Sequence, residues 1–144
     1  MTAYLFDVNV LLAMFDTGHE HHLAARYWWA TRTEDEWCTC PITENGFLRI
    51  ASGNGYPRIE EQLPELIAMF RNLCRAPDHR YWPADIFLTD VVPENAHITS
   101  AKTTDIYLLA LAIAHGGKLA TFDRKIPAHL LAGGPEALEL ISLR

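Results

Sequence analysis

Apolar positions along the chain fall into short runs, and their spacing alternates between strand-like and helix-like periods. TAYLF (2–6) is short and apolar and stops at Asp7, as a buried strand does. VNVLLAMF then starts a helix that DTGH ends. Thr17 and Glu20 have capping-box spacing for a second helix through HEHHLAARYWWATRT. EWCTC predicts a second strand. Pro41 suits the first helical position of PITENGFLRIAS, which the glycines of GNGYP stop. IEEQLPELIAMFRNLCR has helical periodicity with Pro64 in its first turns. The stretch 76–95 holds several prolines and short apolar pieces, and no element is assigned to it. TTDIYLLALAIAHGG is a well-punctuated helix, with threonine and Asp at the front and Gly116 and Gly117 at the back. KLATF follows as a strand ending at Asp123, and a short helix around PAHLLA and a strand LELISL close the chain. Strands alternating with helices predict an α/β domain with a mostly parallel sheet. No repeat or linker divides residues 1–144, so one domain is expected.

Within this pattern the carboxylates acquire positions. Asp7 falls just past the first strand and Asp123 just past KLATF. Glu44 and Asp105 lie in the first turns of two helices. In an open parallel sheet, ligand sites gather outside the carboxyl ends of the strands. Four acids from distant parts of the chain then converge on one edge. Carboxylates packed together repel unless cations offset them. Oxygen donors suit the hard ions Mg²⁺ or Mn²⁺, and no His/Cys set competes for a softer metal. Such a cluster suits phosphodiester hydrolysis, since a bound metal lowers the pKa of a water and aligns it for in-line attack. Asp7, Asp105 and Asp123 are the expected metal holders, with Glu44 as a further ligand or the group that orients the water.

Each residue also has an ordinary structural explanation. Asp105 complements a helix dipole and Thr103 caps the same helix; Glu44 is open to the first account too. Asn9 is a helix cap, or it fixes a metal-bound water or a phosphate. Thr121, two before Asp123, is placed to hydrogen-bond a carboxylate or a phosphate. Asp7 is hardest to explain structurally, because a solvated surface acid rarely follows a buried strand directly. The order of all four acids decides for the site.

Composition narrows the classes. The chain has 144 residues, 49% hydrophobic and 21% charged, which fits one globular domain with a sizeable core. Its net charge is −6, from 12 Lys and Arg against 18 Asp and Glu, which argues against a simple DNA-binding module. The apolar run IYLLALAIA is far shorter than the roughly 18 residues of a membrane helix, so no membrane partner is expected. The N-terminus lacks a basic region and Asp7 interrupts its apolar run, so no signal peptide and a cytoplasmic location are expected. Cys38, Cys40 and Cys74 fit neither a redox nor a zinc spacing and read as small buried hydrophobes. His19, His21 and His22 surround a helix start rather than one i, i+4 face, and read as surface residues. Of Trp28 and Trp29, one is expected in the core and one at a rim or interface. DHRYWP (78–83) either stacks a base and holds a phosphate or fills the core edge. Arg49, Arg80, Lys102, Arg124 and Lys125 are candidates for contact with a nucleic-acid backbone, or plain solvated charge.

The chain resembles PIN-domain proteins, specifically VapC-like ribonuclease toxins of type II toxin–antitoxin pairs. LFDVNVLLA, ITENGFLRI and TTDIYLLALAIAHGGKLATFDRKI carry the resemblance, with GYPR and YWPADI between them. It spans nearly the whole chain. It implies a three-layer α/β/α sandwich, Mg²⁺- or Mn²⁺-dependent endoribonuclease activity, a homodimer and a cognate antitoxin. Asp7, Glu44, Asp105 and Asp123 match its acidic pocket, Asp7 and Asp105 as direct ligands, and Asn9 and Thr121 match supporting polar positions. The negative charge would draw a basic antitoxin segment to the acidic pocket. The alternatives are a maturation or DNA nuclease of the same fold and a non-catalytic scaffold, which the intact acids disfavour. An aspartyl-phosphate protein, with Asp7 as nucleophile and a partnering lysine after a later strand, is the alternative from another class.

Overall fold

The computed structural model describes residues 1–56 and 59–143; Pro57 and Arg58 of the GYPR motif lie outside the described residues. Five strands form one sheet: β1 (Ala3–Phe6), β2 (Glu36–Thr39), β3 (His79–Tyr81), β4 (Lys118–Thr121) and β5 (Leu138–Leu140). Every pairing is parallel, and the order is β3-β2-β1-β4-β5. Strand direction therefore puts all five carboxyl ends on one edge. The chain winds outward from β1 to β3, then returns to the other side of β1 for β4 and β5. The winding thus reverses between β1 and β4, the crevice where open α/β sheets bind ligands.

Alternation along the strands divides the interior in two. Tyr4 and Phe6 of β1, Trp37 of β2 and Ala120 of β4 face one core. α1 (Val8–Phe15), α2 (His22–Ala30), α3 (Pro41–Ala51) and α4 (Leu63–Leu73) supply the rest of it, including Val10, Trp28, Phe47 and Phe70. Leu5, Cys38 and Leu119 face the opposite core, against Ile106, Leu108, Leu109 and Leu111 of α6 (Thr103–Ala114). α5 (Leu88–Val91) and α7 (Gly134–Ala137) border that side. The result is the three-layer α/β/α architecture that the family resemblance implies. The sheet is wholly rather than mostly parallel.

Two stretches differ from their sequence reading. The second helix begins at His22 and has no side-chain cap, so Thr17 and Glu20 do not form its capping box. Asp16 instead accepts from the Gly18 N–H at 3.0 Å, turning the chain before the helix can start. The stretch 76–95 contains β3 and α5. β3 is a three-residue edge strand between Pro77 and Pro83, too short to display a period. It is held by parallel pairing to β2 and by Trp37 and His79, whose rings lie 4.4 Å apart. From DHRYWP, Trp82 is buried and stacks on His115 at 4.7 Å, so this aromatic fills the core edge. Cys38 and Cys40 are buried on the α6 side, as expected of small hydrophobes, and Cys74 is half-buried. Trp28 is buried and Trp29 partly so, both against Tyr4 and Phe6.

Two glycines mark close approaches that shape the site. A Cβ on Gly46 would meet Val8 Cγ2 at 2.7 Å, so α3 reaches α1 only because nothing projects there. A Cβ on Gly117 would run into the Ala3 carbonyl oxygen and meet Trp82 Cη2 at 2.7 Å, just where β4 joins β1.

Candidate active site

β1 delivers Asp7 to the carboxyl edge and α1 begins immediately after it. The carboxylate is itself the N-cap of α1, accepting from the Val8 N–H at 2.8 Å through Oδ1. Its other oxygen, Oδ2, accepts from the Thr121 hydroxyl at 2.7 Å. The Asp7 N–H donates to Ala120 O at 3.0 Å, so the ladder between β1 and β4 runs right up to the site. Thr121 is fully buried and its hydroxyl is a hub. It donates to Asp7 and accepts from Asn9 Nδ2 at 3.3 Å and from the Asp123 N–H at 3.1 Å. Asn9 Oδ1 accepts from the Phe122 N–H at 3.3 Å. Asn9 is thus not the helix cap; it clamps the turn after β4 to α1.

Asp105 lies in the first turn of α6. A 3-10 turn, Ser100–Lys102, leads into it, and Lys102 rather than Thr103 occupies the N-cap position, with no side-chain cap bond. Lys102 Nζ stands 3.9 Å from Asp105 Oδ2 and 3.7 Å from Asp123 Oδ2. Asp123 Oδ1 accepts from the Lys125 N–H at 2.8 Å, fixing the loop that carries it.

Burial pushes Asp105 up to about 6, and the charges of Asp7 and Asp123 add to the rise. Burial likewise raises Asp7, the Thr121 and Val8 hydrogen bonds pull it down, and Asp123 raises it again. The three acids therefore share one electrostatic environment with a deficit of positive charge.

Glu44 also sits in a first turn, that of α3, which Thr43 fixes by accepting from the Cys40 N–H at 3.0 Å. It lines a groove between α3 and α4 with Leu48, Phe70, Arg71 and Cys74. Burial first and the Glu44 charge second push the Cys74 thiol up to about 11. The carboxylate of Glu44 makes no ion pair or hydrogen bond among the described residues. The structure thus brings Asp7, Asp105 and Asp123 together with Asn9, Thr121 and Lys102, while Glu44 lies in the groove between α3 and α4.

The basic candidates separate in the same way. Arg80 pairs with Glu36 at 2.7 Å, at the amino end of β2 and away from the acids. Arg49, in the last turn of α3, and Arg124, next to Asp123, are exposed. The histidines near α2 do not converge on a metal: His22 Nδ1 bonds the Ala13 carbonyl at 2.7 Å, and the His21 ring lies on Phe122 at 5.2 Å. Sequence reading offered Lys102 as an RNA contact or plain solvated charge and missed its place among the acids. The signal was its i, i+3 spacing from Asp105 at a helix start.

A hard divalent cation fits this donor set in chemistry, since every side chain offered is a carboxylate or a neutral oxygen group. The arrangement is not a finished cage, because among the described residues no three His, Cys, Asp or Glu side chains are set to hold a metal ion.

The PIN domain family model matches residues 4–129, the span that contains every one of these groups. The chain belongs to the PIN-domain family. This PIN domain is 36% identical over 131 residues to Ribonuclease VapC44 of Mycobacterium tuberculosis, covering 90% of this chain and 92% of that one. It is 36% identical over 140 residues to Ribonuclease VapC39 of the same organism, covering 96% and 100%. A VapBC2 crystal structure from Rickettsia felis, bound to a promoter DNA fragment, shares the fold at a TM-score of 0.57 and 14% identity, over 97% and 99% of the two chains. Within its family this PIN domain is therefore VapC-like. No described helix is long and apolar enough to cross a membrane.

Thr121→Val tests the hub. The change keeps the shape but removes the hydroxyl proton given to Asp7 and the acceptor used by Asn9 and Asp123. Loss of a partner that orients a ligand typically costs about 10–100-fold in activity or metal affinity, and that range is expected here. Retention of full activity would show that Asp7 needs no such support.

Proposed function

We propose that this PIN domain is a divalent-metal-dependent endoribonuclease and the toxin of a type II toxin–antitoxin pair. One observation carries the reading: Asp7, Asp105 and Asp123 meet at the β1/β4 crevice, and both Asp7 and Asp105 are raised by burial and by neighbouring acids. Relatives over nearly the whole chain bear the name ribonuclease, which supports RNA as the substrate. The VapBC2 pair with the same fold suggests an antitoxin partner.

Asp7, Asp105 and Asp123 would hold Mg²⁺ or Mn²⁺, with Glu44 completing the pocket as a ligand or as the group that orients the attacking water. The bound ion supplies a Lewis acid that makes water nucleophilic near neutral pH and offsets charge on the phosphate. The chain's own residues do the positioning. Val8 and Thr121 each hold one oxygen of Asp7, so the carboxylate keeps its direction. Asn9 fastens the turn that presents Asp123. Arg124, exposed next to Asp123, offers positive charge to an RNA backbone, and Arg49, exposed in the last turn of α3, is a second candidate. Membership of the PIN-domain family supports the nuclease reading over a phosphorylated Asp7. A homodimer is part of the proposal. Leu23 and Tyr27 of α2, 81% and 72% exposed, are apolar surface that such an interface would cover.

Purified protein is given a structured RNA with Mg²⁺ or Mn²⁺, with and without chelator. Cleavage is expected with metal, lost with chelator and restored by excess metal. Cleavage indifferent to chelator would overturn the metal claim. Expression without growth arrest, in cells lacking any antitoxin, would overturn the toxin claim.

A further inference from the structure

Lys102 stands where helix electrostatics disfavours it. The N-terminus of α6 carries the positive end of the helix dipole, which repels a cation. Lys102 occupies the N-cap of that helix, and among the described residues the carboxylates of Asp105 and Asp123 compensate. Its distances are informative as well. Charge-assisted N–H···O bonds close to about 2.7–2.9 Å. Arg80 reaches 2.7 Å from Glu36 and Arg32 reaches 3.0 Å from Glu139, as fixed structural pairs do. Lys102 remains 3.7 and 3.9 Å from its two acids. It is held between them by their common field rather than by a closed hydrogen bond, on a flexible stem with a compact charge. A loosely held monovalent cation among oxygen donors is readily exchanged for a divalent one.

We propose that Lys102 is an exchangeable internal counter-ion of the acidic pocket. In the metal-free chain its single ammonium charge partly offsets Asp105 and Asp123, and a divalent cation must displace it to bind. Lys102 thereby sets the metal concentration at which the pocket fills. It also keeps the empty pocket from driving the acids apart. Lys102 acts through the ligands and is a positioning residue. The proposal rests on the reading of this pocket as a divalent-metal site.

Calorimetric titration of the full chain with Mn²⁺ alone, without RNA, tests it. Lys102→Gln should bind Mn²⁺ about tenfold more tightly than the unsubstituted protein, because the competing charge is gone. Lys102→Arg should stay within about twofold, since the charge remains. Lys118→Gln, the same charge change at the amino end of β4, should also stay within about twofold, which separates local competition from net charge. In the unsubstituted protein, the side-chain methylene NMR signals of Lys102 should move on Mg²⁺ addition and saturate with the calorimetric affinity. Unchanged or weaker Mn²⁺ binding in Lys102→Gln overturns the proposal, as does a Lys102 signal indifferent to Mg²⁺. If the unsubstituted protein takes up no Mn²⁺ at all, the metal-site reading itself fails instead.

Discussion

Asp105→Asn is expected to lower RNA cleavage by about 10³-fold or more, beyond the roughly 10–100-fold that losing an outer-shell partner costs. The same change is expected to make the metal-free protein more stable at neutral pH. Both effects have one origin. Burial and two neighbouring carboxylates raise Asp105 from 3.8 to about 6, so its charge is tolerated in the folded chain only at a cost. Between those two values the native state binds more protons at this group than the unfolded chain does. Stability therefore falls as pH rises through that window, and the full penalty stands above it. In Asp105→Asn this contribution disappears. The melting temperature without metal should rise at pH 7, and its decline between pH 4 and 6 should flatten. Mn²⁺ should raise the melting temperature of the unsubstituted protein by mass action and leave the variant nearly unmoved. Cleavage at the original rate would remove Asp105 from the active site. A melting temperature lower than that of the unsubstituted protein at pH 7 would show that the carboxylate is not strained.

Phe47→Ala is expected to destabilise the fold by about 3–5 kcal/mol, the range for truncating a fully buried aromatic ring. Phe47 is completely buried in the core beneath α1 to α4, 5.2 Å from the Phe70 ring and 6.4 Å from Phe15. It joins α3 to both of its helical neighbours. For a chain of this length the cost corresponds to a fall in melting temperature of roughly 10–15 °C. Phe47 lies three residues beyond Glu44 on the same helix, so the cavity also loosens the element that carries that acid. Phe47→Leu fills most of the space and should recover most of the stability. A loss under about 1 kcal/mol in thermal or urea unfolding would mean that the site collapses freely and that α3 is not held by this ring.

How far the sequence disclosed this molecule depended on whether a feature was local. Asp7, Asp105 and Asp123 could be found because each sits at the seam between one period and the next, where strand gives way to loop or loop to helix. A mostly parallel sheet followed from the alternation of elements, and the structure makes every pairing parallel. β3 could not be found in the same way. Three residues carry no measurable period, and its existence depends on β2 lying alongside. The start of α2 was misread because Thr17 and Glu20 satisfy a spacing rule, while Asp16 had already turned the backbone there. The clamp that Asn9 forms was not legible either, since its partners Thr121 and Phe122 lie more than 110 positions away. Glu44 shows the reverse case. Its first-turn position was legible, but its surroundings on the α4 side were set by packing that no local pattern records.

The reversal of winding between β1 and β4 has a bearing on synthesis. By the time the ribosome has made α6, Asp7, Glu44 and Asp105 all exist, yet the crevice still has only one wall. The second wall is β4, which brings Thr121 and Asp123 and locks the direction of Asp7. A nascent chain therefore has no complete crevice until β4 has been made. A fragment ending before Lys118 should carry three of the four acids and no nuclease activity.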